Sequence, residues 1–340
     1  MVDSIRTLHA LPRAKVTAAA FALATCVFVL LGTLSGGLWT SELAVIPNKS
    51  GETVFLCISL PEAVERRRDV SKLISRFPST TAVDYVYAIR GSDARQRLSV
   101  LGTALNDTPP ICEVLYHRLP HEHSSEFFAV LGCALSHLKA IREASMKGVD
   151  WALIFEDDVV HDLLPFWGQT VAEFVESLPP GWFFVQLSLI GDAAMWSSLM
   201  TTWESASPHP QVMATKDFWS TGAYLISSSA IARVNDLYLL PNGKFNLSRL
   251  PCLNADMHLL KDVAPPGTYY VATPPLFTCA EDGKSFIHNN QSERTYIHQF
   301  SRKMSLDWSA NAARSRFVKT EQRAHVGDSG AAALPTVGDG

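Results

Sequence analysis

The stretch Trp151–Asp162, WALIFEDDVVHD, runs five mostly apolar residues into Glu156, Asp157 and Asp158, followed by apolar Val159 and Val160. A continuous apolar run of this length is the pattern of a strand buried on both faces. Three adjacent carboxylates at its end repel one another, and partial burial raises their pKa values unless a cation or hydrogen-bond donors compensate. At the carboxyl end of a strand in an open α/β sheet, side chains reach the crevice where ligands bind. Carboxylates placed there suit a hard divalent cation, Mg2+ or Mn2+, held by one or two protein oxygens plus substrate phosphates. The competing reading is an acidic turn in which one Asp caps the next segment.

Working outward, the same strand–helix alternation recurs. TVFLCISL (Thr53–Leu60) is a second buried strand, Pro61 sits at a helix-opening position, and Ala63, Arg67, Val70, Ile74 and Phe77 recur at helical spacing. VDYVYAI (Val83–Ile89) closes a βαβ-like unit. A longer helix starts after Ser124–Ser125 and is closed by Gly148, with its apolar stripe on Phe127, Val130, Leu131, Ala134, Leu138 and Ile141. Another face carries Gly132, Ser136, Lys139 and Glu143, where small residues permit a close approach to the backbone, either by a strand or by a ligand. WFFVQLSL (Trp182–Leu189) and STGAYLIS (Ser220–Ser227) read as strands, Ser228 or Ser229 as the cap of a helix to Leu237, Asp256–Asp262 as a short helix, and TYYVATPPLF as a late strand. This alternation points to an α/β single domain with a central, mostly parallel sheet.

Composition excludes some classes. The 340 residues are 47% hydrophobic and 18% charged with a net charge of −4, and a pI near 6.3 gives no basic footprint for nucleic acid. No G-x-G-x-x-G follows the first strand, which argues against a dinucleotide site. Val16–Leu34 carries no charge and is about long enough to span a bilayer. Arg6, Arg13 and Lys15 precede it, so the positive-inside rule predicts a cytosolic tail (1–15), a signal-anchor (16–36) and a stem (37–52). A cleavable secretory signal is the rival, disfavoured by the length of the apolar core. Sequons at Asn48, Asn106, Asn246 and Asn290 fit a lumenal bulk. Of the six cysteines, Cys26 lies in the apolar span; Cys57 and Cys133 read as core thiols, and Cys252 with Cys279 is one conceivable pair. Residues 309–340 have the composition of a disordered tail.

Read together, CISLPEAVERRRD, LGCALSHLKAI, ALIFEDDVV, STGAYLIS and NADMHLL resemble glycosyltransferase family 25 in order and spacing. GCALSHLKAI and IFEDDV are the more specific blocks. The resemblance implies a GT-A-like catalytic domain over residues 53–300, using a nucleotide sugar, usually UDP-galactose, with Mn2+ and with inversion at the anomeric carbon. It places Asp157 and Asp158 at metal and diphosphate with Glu156 beside them, and Arg66 near the nucleotide. Gly132, Ser136 and His137 fall on a donor-facing helix, and Asp256 is the candidate general base. It departs at Ser59, where the family's first strand usually has Asn, and at Val130, where the family often has Glu. The expected protein is a type II Golgi or endoplasmic-reticulum membrane enzyme acting on a glycan or protein acceptor. Two other classes remain in view: a family-25-like binding module without activity, and a phosphoester hydrolase using the same carboxylates. Bland readings stand beside the sharp ones: His137 as a satisfied core histidine, Arg66–Arg68 as a solvated helix face, Asp256 as a dipole partner, and Phe218, Trp219 and Tyr224 as core.

Overall fold

The computed structural model describes residues 53–74, 83–94, 125–160, 163, 167–202, 211–215, 217–246, 254–279, 299–308 and 310. The anchor, the stem, Phe77 and Cys252 lie outside them, as do nearly all of the expected tail and His288 of SFIHNN, which the sequence offers either as a metal ligand or as a structural residue. Among the described residues no helix is long and apolar enough to cross a membrane.

Seven strands form the central sheet: β1 (Thr53–Ser59), β2 (Val83–Tyr87), β3 (Trp151–Glu156), β5 (Phe184–Gln186), β6 (Gln211–Met213), β7 (Ala223–Ser227) and β8 (Tyr269–Thr273), in the order β2-β1-β3-β7-β5-β8-β6. The short β4 (Val159–Val160) and β9 (Thr278–Cys279) pair separately. The sheet is mixed, which corrects the mostly parallel expectation. β1 runs parallel to β2 and β3, and β5 to β8, but β7 lies antiparallel between β3 and β5, and β6 is antiparallel on the edge. Apolar runs report burial on both faces, not direction, so β7 reads the same in sequence either way.

Alternation along the strands sorts side chains into two cores. Val54, Leu56, Ile58, Ala152 and Ile154 face one layer, with α2 (Ser125–Lys147) and α5 (Ser228–Tyr238). Phe55, Cys57, Trp151, Leu153 and Phe155 face the other, with α1 (Val64–Ile74) and α3 (Val171–Glu176). Helix α2 ends as its sequence requires, at Gly148 with φ +65°, a left-handed conformation that glycine adopts without penalty. Helix α5 is capped by Ser227, the last residue of β7, whose Oγ accepts from Ala230 N at 3.3 Å; the expected caps Ser228 and Ser229 are already helical. The expected helix near Asp256 is a π-helix, Asp256–Lys261. Packing continues past residue 300: Trp308 is buried edge-on to Trp196 (Ala193–Thr202 is α4), and Ser301 hydrogen-bonds both the N–H and the carbonyl of Gly191 at 3.0 Å.

Candidate functional site

Parallel β1 and β3 end side by side, with Ile58 opposite Glu156, and α1 and α2 flank that edge. A cavity of about 100 Å3 opens there, lined by the turn after β1, the loop after β2, one face of α2 and the three carboxylates. It adjoins a recess of about 440 Å3 between Pro61–Glu62, Tyr87–Ala88, Arg90, Asp93 and Lys139.

The carboxylates diverge in role. The Glu156 amide donates to Gly222 O at 2.8 Å and that of Asp157 to Ile58 O at 3.1 Å, so the sheet ladder itself fixes the first two. Glu156 Oε1 accepts from Thr221 Oγ1 at 2.8 Å and lies 3.3 Å from His137 Nε2. Asp157 Oδ1 accepts from Arg66 at 3.0 Å, while Oδ2 of the same carboxylate is buried with no hydrogen-bond partner. Leaving a charged oxygen so placed is costly. Asp158 lies 4.0 Å from Arg66 and keeps 31% of its side chain exposed. Burial raises the Asp158 carboxyl to about 7; Glu156 and Asp157 push the same way, and Arg66 opposes them. Water reaching a side chain of that exposure moderates the effect.

The three arginines separate cleanly. Arg66 enters the site. Arg67 braces the turn after β1, donating to Ser59 Oγ at 3.1 Å, to Leu60 O and to Pro61 O at 2.7 Å, with its guanidinium 5.8 Å from the Tyr87 ring centre. Arg68 pairs outward with Glu65, both exposed. The solvated-face reading thus describes Arg68 alone.

Gly132 and Ser136 fasten the protein to itself. A Cβ on Gly132 would stand 2.4 Å from Ile89 O, so the close approach at this helix face is made by the loop after β2. Ser136 Oγ donates to Gly132 O at 2.6 Å and accepts from Ile89 N at 2.8 Å. Ser136 borders the cavity and Gly132 lies behind it, holding the loop after β2 against the helix. His137 is 1% exposed, held between Tyr224 Oη (3.1 Å from Nδ1) and Glu156. It is both a satisfied buried histidine and a member of the cavity lining. Of the two departures from the family pattern, Val130 is buried in the core, and Ser59 accepts from Arg67 and borders the cavity. The backbone of Asp256 opens the π-helix; its side chain lies outside the described residues. Trp219 is half-buried and bridged to Ile190, and does not line the cavity.

Sequence reasoning missed Thr221 and its support. Ser220 has φ +121°, a strained conformation for a residue with a side chain. Its carbonyl accepts from Gln186 Nε2 at 2.7 Å, and Gln186 Oε1 accepts from Tyr269 Oη at 3.1 Å, all buried. That chain fixes the turn that aims Thr221 at Glu156. A buried polar Gln within the apolar WFFVQLSL was the one available signal.

These features define an α/β protein with a carboxylate-edged cavity at the ends of parallel strands. Residues 52–164 match glycosyltransferase family 25 (LPS biosynthesis protein), about a third of the chain, including three of the five motif blocks and every cavity residue named above. Among solved structures, a glycosyltransferase involved in the glycosylation of the major capsid of PBCV-1 is similar at 14% identity, covering 64% of this chain and 80% of that one with a TM-score of 0.31. A likeness of that size does not define the fold. No curated protein matches the chain.

Proposed function

We propose that the chain is a glycosyltransferase of the family-25 type, moving a sugar, galactose in the first instance, from a UDP-sugar to a hydroxyl of a glycan or protein. The observation that carries the reading is Asp157: a buried carboxylate oxygen without a partner, beside Asp158 and Arg66, at the mouth of a strand-end cavity. Those groups fit a hard cation such as Mn2+, for which oxygen ligands are the preferred donors. When bound, the cation supplies neutralisation of the charge that develops on a departing diphosphate.

The remaining steps belong to the protein's own groups. Arg66 holds Asp157 in place and is positioned to share its charge with a phosphate oxygen. The 440 Å3 recess, with the half-exposed Tyr87 ring, is the space for the nucleoside. In an inverting transfer the acceptor oxygen forms its bond to the anomeric carbon as the bond to the diphosphate breaks, the electron pair leaving with UDP. The acceptor's proton passes to a base, for which we retain Asp256. We further propose a GT-A-like fold, anchoring through residues 16–36, and a lumenal Golgi or endoplasmic-reticulum site; the charge-free run after Arg13 and Lys15 supports the last two.

The test is UDP release by the full-length chain in detergent across a panel of UDP-sugars, each with its glycan and collagen-like acceptors, with and without Mn2+. Turnover of one donor that requires Mn2+ and disappears in Asp158→Asn supports the reading. Folded protein that neither turns over any donor nor binds UDP overturns it.

A further inference from the structure

Cys133 and His137 are four residues apart on α2 and so share one face of the helix. That face meets the end of β3, where Glu156 stands. The Cys133 thiol, a ring nitrogen of His137 and a Glu156 carboxylate oxygen all lie within 4.8 Å of one another, and the His137–Glu156 separation is 3.3 Å. Bonds of about 2.3 Å to sulfur and about 2.0–2.2 Å to nitrogen and oxygen around a tetrahedral ion require ligand atoms roughly 3.3–3.8 Å apart. Small side-chain adjustments reach that spacing.

We propose that Cys133 Sγ, His137 Nε2 and Glu156 form a three-ligand site for a thiophilic divalent cation of the zinc class, its fourth position open to the cavity. The surrounding contacts are those such a site uses. With the ring proton on Nδ1, that nitrogen donates to Tyr224 Oη, 3.1 Å away, and the Nε2 lone pair takes the ion in place of its 3.3 Å contact with Glu156; Thr221 Oγ1 donates to Glu156 and fixes the carboxylate. Cys133 is in no disulfide and partly exposed, and the cavity it lines gives the ion an entry path. Donor type separates this site from the neighbouring Asp157 and Asp158: a thiolate and an imidazole select zinc, whereas two carboxylates select Mn2+ or Mg2+. A zinc ion here occupies the same cavity as a nucleotide diphosphate and shares its edge at Glu156. Zinc therefore competes with donor binding if the chain is a glycosyltransferase, and binds in any case if it is not.

The experiment titrates Co2+, a coloured substitute for zinc, into the reduced full-length chain in detergent. The expected result is one equivalent bound with a near-ultraviolet sulfur-to-cobalt charge-transfer band, displaced by Zn2+. The band disappears in Cys133→Ser, and the affinity falls about 10- to 100-fold in Thr221→Val, which loses only the outer contact. Asp158→Asn keeps the band, because that residue supplies no ligand to the site. A band that persists in folded Cys133→Ser, or wild-type protein that binds neither ion, overturns the proposal and leaves a plain Glu–His hydrogen bond. If Cys133→Ser does not fold, X-ray absorption on the zinc-loaded wild type decides: one sulfur at about 2.3 Å supports the site, and an all-oxygen shell overturns it.

Discussion

Replacing Asp158 with Asn tests the electrostatics of the cavity without any substrate. The carboxyl moves from its ordinary value of 3.8 to about 7 in the folded chain, through burial first and then through Glu156 and Asp157. Below pH ~4 it is neutral folded or unfolded, and no penalty exists. Between pH ~4 and ~7 the unfolded chain releases the proton while the folded one keeps it, so stability falls as pH rises, and the full penalty is present above pH ~7. At ~1.4 kcal/mol per pH unit the ceiling is about 4 kcal/mol, and the 31% exposure of the side chain reduces it to roughly 1–2 kcal/mol. Asn removes the titration while keeping the shape of the protonated acid. The variant should therefore melt about 3–6 °C above wild type at pH 8 and at the same temperature at pH 4, in metal-free buffer. Differential scanning calorimetry across that range is the assay. An equal melting temperature at pH 8, or the same gain at both pH values, would refute the argument that carboxylate crowding strains this site.

Other substitutions probe the supports. Gly132→Ala, normally favourable in a helix, drives a Cβ to 2.4 Å from Ile89 O and should cost about 1–3 kcal/mol in urea unfolding; a stabilised variant would show that the loop yields freely. Tyr269→Phe leaves Gln186 Oε1 short of a buried donor and should cost about 1–2 kcal/mol, while lowering turnover by loosening Ser220 and Thr221. Arg67→Met should destabilise the turn after β1 and lower protein stability, whereas Arg68→Ala should change neither melting temperature nor turnover, because its partner Glu65 is exposed.

The site was legible where local pattern and function coincide. An apolar run ending in three carboxylates reads as a buried strand with charge at its end, and β3 is that strand. The arginine triplet was less legible: helical spacing sets Arg66, Arg67 and Arg68 about 100° apart, but only the tertiary fold decides which one faces Asp157. The direction of β7 was not legible, because hydrogen-bond direction leaves no mark on a strand buried on both faces. Gly132 was read correctly as a point of close approach, yet the partner is the loop after β2, a contact 43 residues back along the chain. Thr221 escaped notice because its importance rests on the strained Ser220 before it and on Gln186 and Tyr269 behind it.

On the function proposed above, Asp157 and Asp158 hold a hard cation together with a nucleotide diphosphate. Electron paramagnetic resonance of Mn2+ added to the full-length chain in detergent, with and without UDP, measures it directly. The account predicts one Mn2+ bound per chain, with affinity strengthened by UDP and lost in Asp157→Asn even where that variant remains folded. Mn2+ that stays free in the presence of wild-type protein and UDP, or that binds wild type and Asp157→Asn alike, would contradict it.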